Sequence, residues 1–547
     1  MVNLRAGLLG CVPLALLLSV LAWALTPSLT GDFVADDYVF LATARMVDAP
    51  LTAFWHWHFY EPVYFRPVVL VVWWVTGRWF GLDYAWHAAF NAVLHMTNVA
   101  LLWVLLGRFV PAFWPRVLGV AWFAFGPLSL GAVLWLSDRF DLLAVTFLLV
   151  ALLAALWRNR VVGVAFVFLA SLAACWSKEW ALVACLVAAL LMMVGARSRV
   201  LPARPMMAAG MLLAVALAGS VAAVLRSTSL DGGPASVVGG FIRGAKVADG
   251  LAAWFDGAWR IAVAQGLSLS VAVVLVGAAA IASLVCLRRF GAGAPGPRSA
   301  LLLLGGSLLM LVAVVLPQLV TVGGYLGLID SGAFGVATTA RFYYGAMVAF
   351  AGVLAALLAM VNLRPVPMRA VAVCAMVCGA QYLVAGHRLA TDVARWATGE
   401  LAPIAVAATK VVDAVANDVG EPCVVVLLGT QVRHPYFRMF SDAIVKARTR
   451  SPVTAWRCHV MAETTPWVFV FPSLVVPVSL PLRAVPFIGE SAKPDTVWNT
   501  ARYRYRLPAS DMAALPGARY FDWRDGAFVE VTDSVRGGGL RVGWADW

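Results

Sequence analysis

Residues Pro67–Leu82 read PVVLVVWWVTGRWFGL. The run is apolar, it contains Arg78, and it is shorter than the about 20 residues that cross a bilayer as a helix. Its reading decides the fold, because one span added or removed inverts the sidedness of every later turn. If it does not cross, the remaining apolar runs lie at about 7–29, 86–107, 117–135, 142–157, 162–176, 180–195, 206–225, 261–287, 300–322, 342–362 and 370–386, eleven in all. With the N-terminus inside, alternate turns carry Arg108 and Arg116; Arg158 and Arg160; Arg197, Arg199 and Arg204; Arg288, Arg289 and Arg298; Arg364 and Arg369, with no acid among them. The opposite turns hold Asp36, Asp37, Asp138, Asp141, Glu179, Asp231, Asp249, Asp256 and Asp330. That separation obeys the excess of Lys and Arg on the cytoplasmic side, and a crossing at 67–82 would reverse it throughout. Residues 67–82 are therefore read as a juxtamembrane or re-entrant helix on the outer face.

The composition agrees. Of 547 residues, 62% are hydrophobic and 13% charged, with 23 tryptophans, a balance that excludes an ordinary soluble globular protein. The net charge of +13 follows from the basic turns and does not require nucleic acid as a partner. The first thirty residues resemble a signal peptide, but the apolar run is long and more spans follow, so a retained anchor is expected. The fold class is thus a polytopic α-helical membrane protein of about 11 spans with a C-terminal soluble α/β or α+β domain. Residues 1–388 form the membrane part, with outer-face loops 30–85, 226–260 and 323–341, and 389–547 form a periplasmic domain. The tail has a helical stretch at about 389–418, strands at 423–429, 467–471 and 474–480, and a hairpin at 520–531. Cys423 and Cys458 are the two of eight cysteines that lie in this domain, where an oxidising compartment would allow them to pair.

Upstream of the deciding run, the chain leaves its first apolar segment as Gly31-Asp32-Phe33-Val34-Ala35-Asp36-Asp37-Tyr38. One carboxylate suffices to cap a helix beginning here, and there are two adjacent ones. The loop 30–66 is rich in interfacial aromatics and holds His56, His58 and Glu61 before Arg66, a cation placed to meet a lipid phosphate. On the same face stand Asp138-Arg139-Phe140-Asp141, Ser177-Lys178-Glu179, and Arg341, which begins an apolar run on the side where cations are disfavoured. Structural ion pairs and interfacial anchors are the plain alternatives for each. His87 and His95, eight apart, share roughly one helix face and are suited to lining a polar cavity.

Taken in order, these residues resemble the C-type glycosyltransferase superfamily, in the branch of the protein O-mannosyltransferases, the tetratricopeptide-bearing transmembrane O-mannosyltransferases and the lipid A aminoarabinose transferase. The carriers are Asp36-Asp37; Tyr64-Phe65-Arg66-Pro67-Val68; Phe80-Gly81-Leu82 through His87, Asn91, His95 and Asn98; Pro127 through Trp135; Ser137, Arg139 and Asp141-Leu142-Leu143; Lys178-Glu179; and Arg341-Phe342-Tyr343-Tyr344. Gly126 and Gly131 depart from the pattern, standing where His and Glu are often found, and the tail has no tetratricopeptide repeat.

The resemblance implies a membrane glycosyltransferase with a polyprenyl-phosphate-linked sugar as donor and a glycan, lipid or protein hydroxyl as acceptor. Transfer would occur with inversion on the periplasmic side of a bacterial inner membrane. It implies Asp36 as general base. Arg66, Arg139, Lys178 and Arg341, with Glu179 beside them, would meet the lipid phosphate, whose developing charge needs cations. Asp37 and Asp141 would orient the acceptor, or with Asp36 hold a divalent cation such as Mg2+ or Mn2+. The other readings are a transporter or flippase of lipid-linked sugars, for which charges are expected within the spans, and an O-antigen polymerase or ligase, for which a large late outer loop is expected.

Overall fold

The structure, a computed structural model, describes residues 4–46, 51, 66–157, 160–197, 205–229, 244–267, 298–361, 365–419, 423–429, 441–449, 458–462, 468–469, 483–485, 504–506 and 518–537. Its helices are α1 (Leu4–Leu25), α2 (Asp36–Met46), α3 (Pro67–Phe80), α4 (Tyr84–Phe109), α5 (Phe113–Phe125), α6 (Pro127–Leu134), α7 (Arg139–Ala154), α8 (Arg160–Cys175) and α9 (Trp180–Arg197). There follow α10 (Pro205–Ser229), α11 (Gly244–Ala264), α12 (Arg298–Val322), α13 (Ala333–Ala340), α14 (Tyr344–Val361), α15 (Pro365–Trp396), α16 (Ala402–Val419), α17 (Ser441–Arg448) and α18 (Thr532–Arg536). The strands are β1 (Cys423–Leu428), β2 (Cys458–Ala462), β3 (Val468–Phe469), β4 (Arg483–Val485), β5 (Arg504–Arg506), β6 (Ala518–Arg524) and β7 (Ala527–Glu530).

The chain divides into two compact units. The first comprises Met1–Thr30, Ala85–Ala222 and Val237–Ala394; the second comprises Gly31–Tyr84, Ala223–Ser236 and Arg395–Trp547.

The first unit is helical and apolar. Four described helical segments are long and apolar enough to cross a membrane: Val12–Thr30, Tyr84–Phe109, Ala300–Leu319 and Ala333–Met360. A fifth candidate is the pair α5 and α6, which covers the run expected at 117–135. It bends by 45°. Pro127 has no N–H to continue the helix, and Gly126 before it is extended at φ −63° and ψ 132°. The runs expected at 162–176, 180–195 and 206–225 are shorter apolar helices. The run at 261–287 lies outside the described residues from 268 onward. Residues 333–340, inside the expected outer loop 323–341, form the buried helix α13. Helix α6 packs against α13 with no room for a side chain at Gly131. A Cβ there would fall 2.6 Å from the Ala337 carbonyl oxygen and 2.9 Å from the Arg341 nitrogen. Glycine at position 131 is therefore what lets the Arg341 backbone come close to α6.

The second unit holds the deciding run. Helix α3 has 14 residues, about 21 Å at 1.5 Å per residue, against a hydrocarbon core of about 30 Å. It packs on α2, where Phe40 stacks on Trp73 with ring centroids 5.4 Å apart. The C-terminal part of this unit carries a four-stranded sheet in the order β2-β1-β6-β7, with β1 parallel to β2 and to β6, and β7 antiparallel to β6. Val425, Val426 and Leu427 make β1 fully buried, as a run covered on both faces requires. The expected hairpin forms as β6–β7, turning at Asp525 and Gly526, both with positive φ, as a two-residue type I′ turn demands. A second, antiparallel sheet has the order β3-β5-β4. Cys423 and Cys458 are register partners across β1 and β2, and Cys458 is disulfide-bonded. The strand expected at 474–480 lies outside the described residues.

Candidate active site

In the second unit the acidic stretch forms a tight turn into α2. Asp36 and Asp37 occupy the first helical turn, where carboxylates favour the exposed amides and the helix dipole. The two aspartates are not equivalent. Asp37 is fully buried, and its Oδ2 accepts the Val34 N–H at 3.0 Å, so this is the carboxylate that ties the helix start together. Asp36 retains 8% exposure. Before them, Asp32 accepts its neighbour Phe33 N–H at 2.8 Å and pairs with Arg448 of α17 at 3.2 Å. Arg448 also donates to the Tyr38 hydroxyl at 2.9 Å. Burial, then the charge of Asp32, push the Tyr38 phenol well above its ordinary range, so it stays neutral. Arg66 caps α3 in this same unit. Glu61, His56 and His58 lie outside the described residues.

In the first unit the charged stretches 138–141 and 177–179 converge. The Asp141 carboxylate, in the first turn of α7, accepts the Trp180 indole N–H at 2.5 Å on one oxygen and meets the Lys178 ammonium at 2.9 Å on the other. Lys178 lies 4.8 Å from the centroid of Phe140. Asp138, in the turn between α6 and α7, is fully buried, and neither of its oxygens has a hydrogen-bond donor among the described residues. Burial, then the charge of Asp141, raise its pKa well above the ordinary carboxylate range, against the opposing pull of Lys178 and Arg341. In its neutral form its own proton is available to be shared with Asp141. Arg341 joins α13 to α14 in a short 3-10 turn, and its guanidinium lies 3.8 Å above the Trp135 ring. Asp141 pairs with Lys178 in this cluster, and Arg341 acts electrostatically on Asp138 beside them.

Arg139, expected at the lipid phosphate, bonds to α4. It is fully buried, donating from Nε to Asn91 at 2.8 Å and from Nη2 to the His87 carbonyl at 3.2 Å. It therefore joins α7 to α4. The polar face anticipated at His87 and His95 is present and extends to Asn98. The His95 ring nitrogens reach the Tyr344 hydroxyl at 2.9 Å and the Ala124 carbonyl at 3.1 Å, and Asn98 donates to the same hydroxyl at 3.0 Å. Glu179 is half-buried beside Lys178. Sequence reasoning missed Trp180, Tyr38 and Arg448, and it passed over Asp138. Trp180, Tyr38 and Asp138 adjoin charged residues in the sequence, whereas Arg448 gave no such signal.

An apolar cavity of about 200 Å³ begins at Trp180 and runs between α4, α7, α9, α12 and α14, lined by Leu102, Leu149, Leu191, Met310 and Gly352 among others. One side chain thus both bonds the buried carboxylate and lines an apolar groove.

The residues proposed for a divalent ion do not suit one as they stand. Asp141 already holds an ammonium and an indole, and Asp37 holds a backbone amide. Among the described residues, no three of His, Cys, Asp or Glu are grouped to ligate an ion.

No protein-family model matches the sequence, and no curated protein matches it. Solved structures do. One is ArnT from Cupriavidus metallidurans bound to undecaprenyl phosphate, at 13% identity and a TM-score of 0.42 over 82% of this chain and 89% of that one. Another is the Archaeoglobus fulgidus oligosaccharyltransferase tethered to an acceptor peptide containing the NVT sequon, at 12% identity and a TM-score of 0.37 over 79% of this chain and 63% of that one. At these scores the functional reading rests on the chain's own residues.

Proposed function

We propose that this protein is a membrane glycosyltransferase of the C type that moves a sugar from a polyprenyl-phosphate donor to an acceptor hydroxyl, with inversion, on the outer face of the inner membrane. The observation that carries the reading is the junction at Trp180, where an apolar groove meets a buried cluster holding Lys178, Asp141 and Arg341. A ligand with a long apolar tail and an anionic head matches both halves. Asp141 and Lys178 stand at helix starts rather than mid-helix, which supports an enzyme over a transporter.

In the proposed reaction the acceptor hydroxyl attacks the anomeric carbon as Asp36 takes its proton. The carbon–oxygen bond to phosphate breaks, and the polyprenyl phosphate leaves with the electron pair. Lys178 and Arg341 stabilise the charge that develops on that phosphate. Phosphate needs no proton to leave, so one carboxylate suffices. Arg66 assists the lipid headgroup, and Arg139 serves by fixing the start of α7. The disulfide at Cys458 supports an oxidising, periplasmic setting for the C-terminal domain.

Mass spectrometry of surface glycans and lipid A from a deletion strain, complemented with wild type or Asp36→Asn, tests this. The expected result is a species lighter by one sugar residue in the deletion strain and in the Asp36→Asn strain. Identical glycans in all strains overturn the reading.

A further inference from the structure

The mechanism uses Asp36 and leaves unexplained why Arg448, more than 400 residues away along the chain, reaches the turn that carries it. We propose that Arg448 is the positioning residue of that turn, through which the C-terminal domain sets the geometry of Asp36; the functional half of this inference rests on the transferase reading above.

Arg448 grips both sides of the aspartate pair. Its Nη1 is 3.2 Å from Asp32 Oδ2, 3.4 Å from Asp32 Oδ1 and 2.9 Å from the Tyr38 hydroxyl. Asp32 and Tyr38 stand four residues before and two after Asp36, so one guanidinium closes the segment between them. That segment needs closing. Ala35, the residue before Asp36, has φ +48°, a conformation that alanine disfavours. Its neighbours hold it from within: Val34 N–H donates to Asp37, Asp37 N–H to the Val34 carbonyl, and Tyr38 N–H to the Ala35 carbonyl. Strained backbone of this kind persists where its surroundings over-determine it, and it gathers at functional sites.

The grip is itself anchored. Thr449, next in the chain, donates to Asp413 of α16 at 2.5 Å, and its amide closes on the Val445 carbonyl at 2.9 Å. Helix α17 packs on α2, on α16 and on β2. The side chains of Arg448 and Asp32 are only 20% and 17% exposed, so the pair is sheltered from the screening that weakens surface pairs. All three contacts come from Nη1, so one cationic nitrogen joins the carboxylate to the phenol.

The test uses the full-length protein in nanodiscs and in complemented cells, with Arg448→Leu, Arg448→Lys, and the exchanged pair Asp32→Arg with Arg448→Asp. Hydrogen–deuterium exchange of the peptide covering residues 31–46 is read first. The amides of Val34, Asp37 and Tyr38 are expected to exchange at least tenfold faster in Arg448→Leu, less in Arg448→Lys, and near the wild-type rate in the exchanged pair, with the melting temperature little changed. Unchanged exchange in Arg448→Leu overturns the proposal, whatever the glycans show. The glycan product per mole of membrane-inserted protein is read second and is expected to fall in the same order. Full product from Arg448→Leu, in cells where Asp36→Asn gives none, also overturns it. If wild type and deletion strains make the same glycans, the transferase reading fails, and the exchange data alone show whether Arg448 clamps the turn.

Discussion

The two acidic clusters use the same side chain in opposite ways. In the first unit Asp141 is held by side chains alone, from Trp180 and Lys178, both nearly forty residues on along the chain. In the second, Asp37 accepts the Val34 amide and Asp32 accepts the Phe33 amide together with the Arg448 guanidinium. The first cluster is an electrostatic fixture: a buried anion matched to a cation, beside an acid that stays neutral. The second is a shaped turn that presents a carboxylate. Loss of charge should therefore silence chemistry in the turn, and loss of a partner should cost stability in the helical cluster.

The largest expected effect is at the turn. Asp36→Asn keeps the shape and removes the base, and transfer should fall by about 10²- to 10⁴-fold while the protein still inserts and melts as wild type does. Retained activity would transfer the base role elsewhere and dissolve the contrast. Next, Lys178→Met in the helical cluster strands the Asp141 carboxylate. Breaking one half of a buried pair costs about 3–5 kcal/mol, which should appear as a large fall in detergent melting temperature. The double variant Lys178→Met with Asp141→Asn should recover much of that loss. If it does not, the two side chains are uncoupled.

Backbone fit comes third. Gly131→Ala should destabilise by about 1–3 kcal/mol, an overpacking effect, because the new methyl meets the backbone of Ala337 and Arg341. It should also lower activity by moving Arg341. A Gly131→Ala protein with unchanged stability would mean that α6 and α13 part easily. Fourth, Asp138→Asn should be tolerated within about 1 kcal/mol, since an amide can donate to Asp141 as a neutral acid does. A collapse like that of Lys178→Met would show Asp138 to be charged.

How far the sequence disclosed this contrast depends on how local each interaction is. The apolar runs become helices because burial and lipid both satisfy an apolar face. The Asp36–Asp37 helix start follows from capping chemistry within a few residues, and the β6–β7 hairpin from its Asp-Gly turn. The face at His87 and His95 was legible from helical spacing. Its use was not: Arg139 turns to it because Asn91 and the His87 carbonyl offer acceptors in a dry interior, which no spacing near Arg139 announces. The same holds for Trp180 on Asp141, and most of all for Arg448 on Asp32, partners 416 residues apart in a chain of 547. Gly131 shows the reverse. Its departure from the resembled pattern says nothing of packing, and in the fold it is a point of backbone contact.

The smallest expected effect separates solvent-exposed pairing from both clusters. On the C-terminal sheet Arg519 donates from Nε and Nη2 to the two oxygens of Glu530 and from Nη1 to Asp418. The Arg519 hydrogen bonds, outweighing partial burial, hold the Glu530 carboxyl below its ordinary range. A depressed folded-state pKa adds stability that is present above the unfolded value and is lost as the pH falls through the folded one. The Glu530 side chain is 38% exposed, so solvent and salt screen the pair and its contribution should not exceed about 0.5 kcal/mol. The measurement is the melting temperature of wild type against Glu530→Gln. The wild type should lead slightly at pH 7, and the lead should vanish below the carboxylate range and shrink in 1 M salt. A lead as large as that over Lys178→Met, or one that survives acid, would place this exposed fork in the same energetic class as the buried Asp141–Lys178 pair and remove burial as the basis of the distinction.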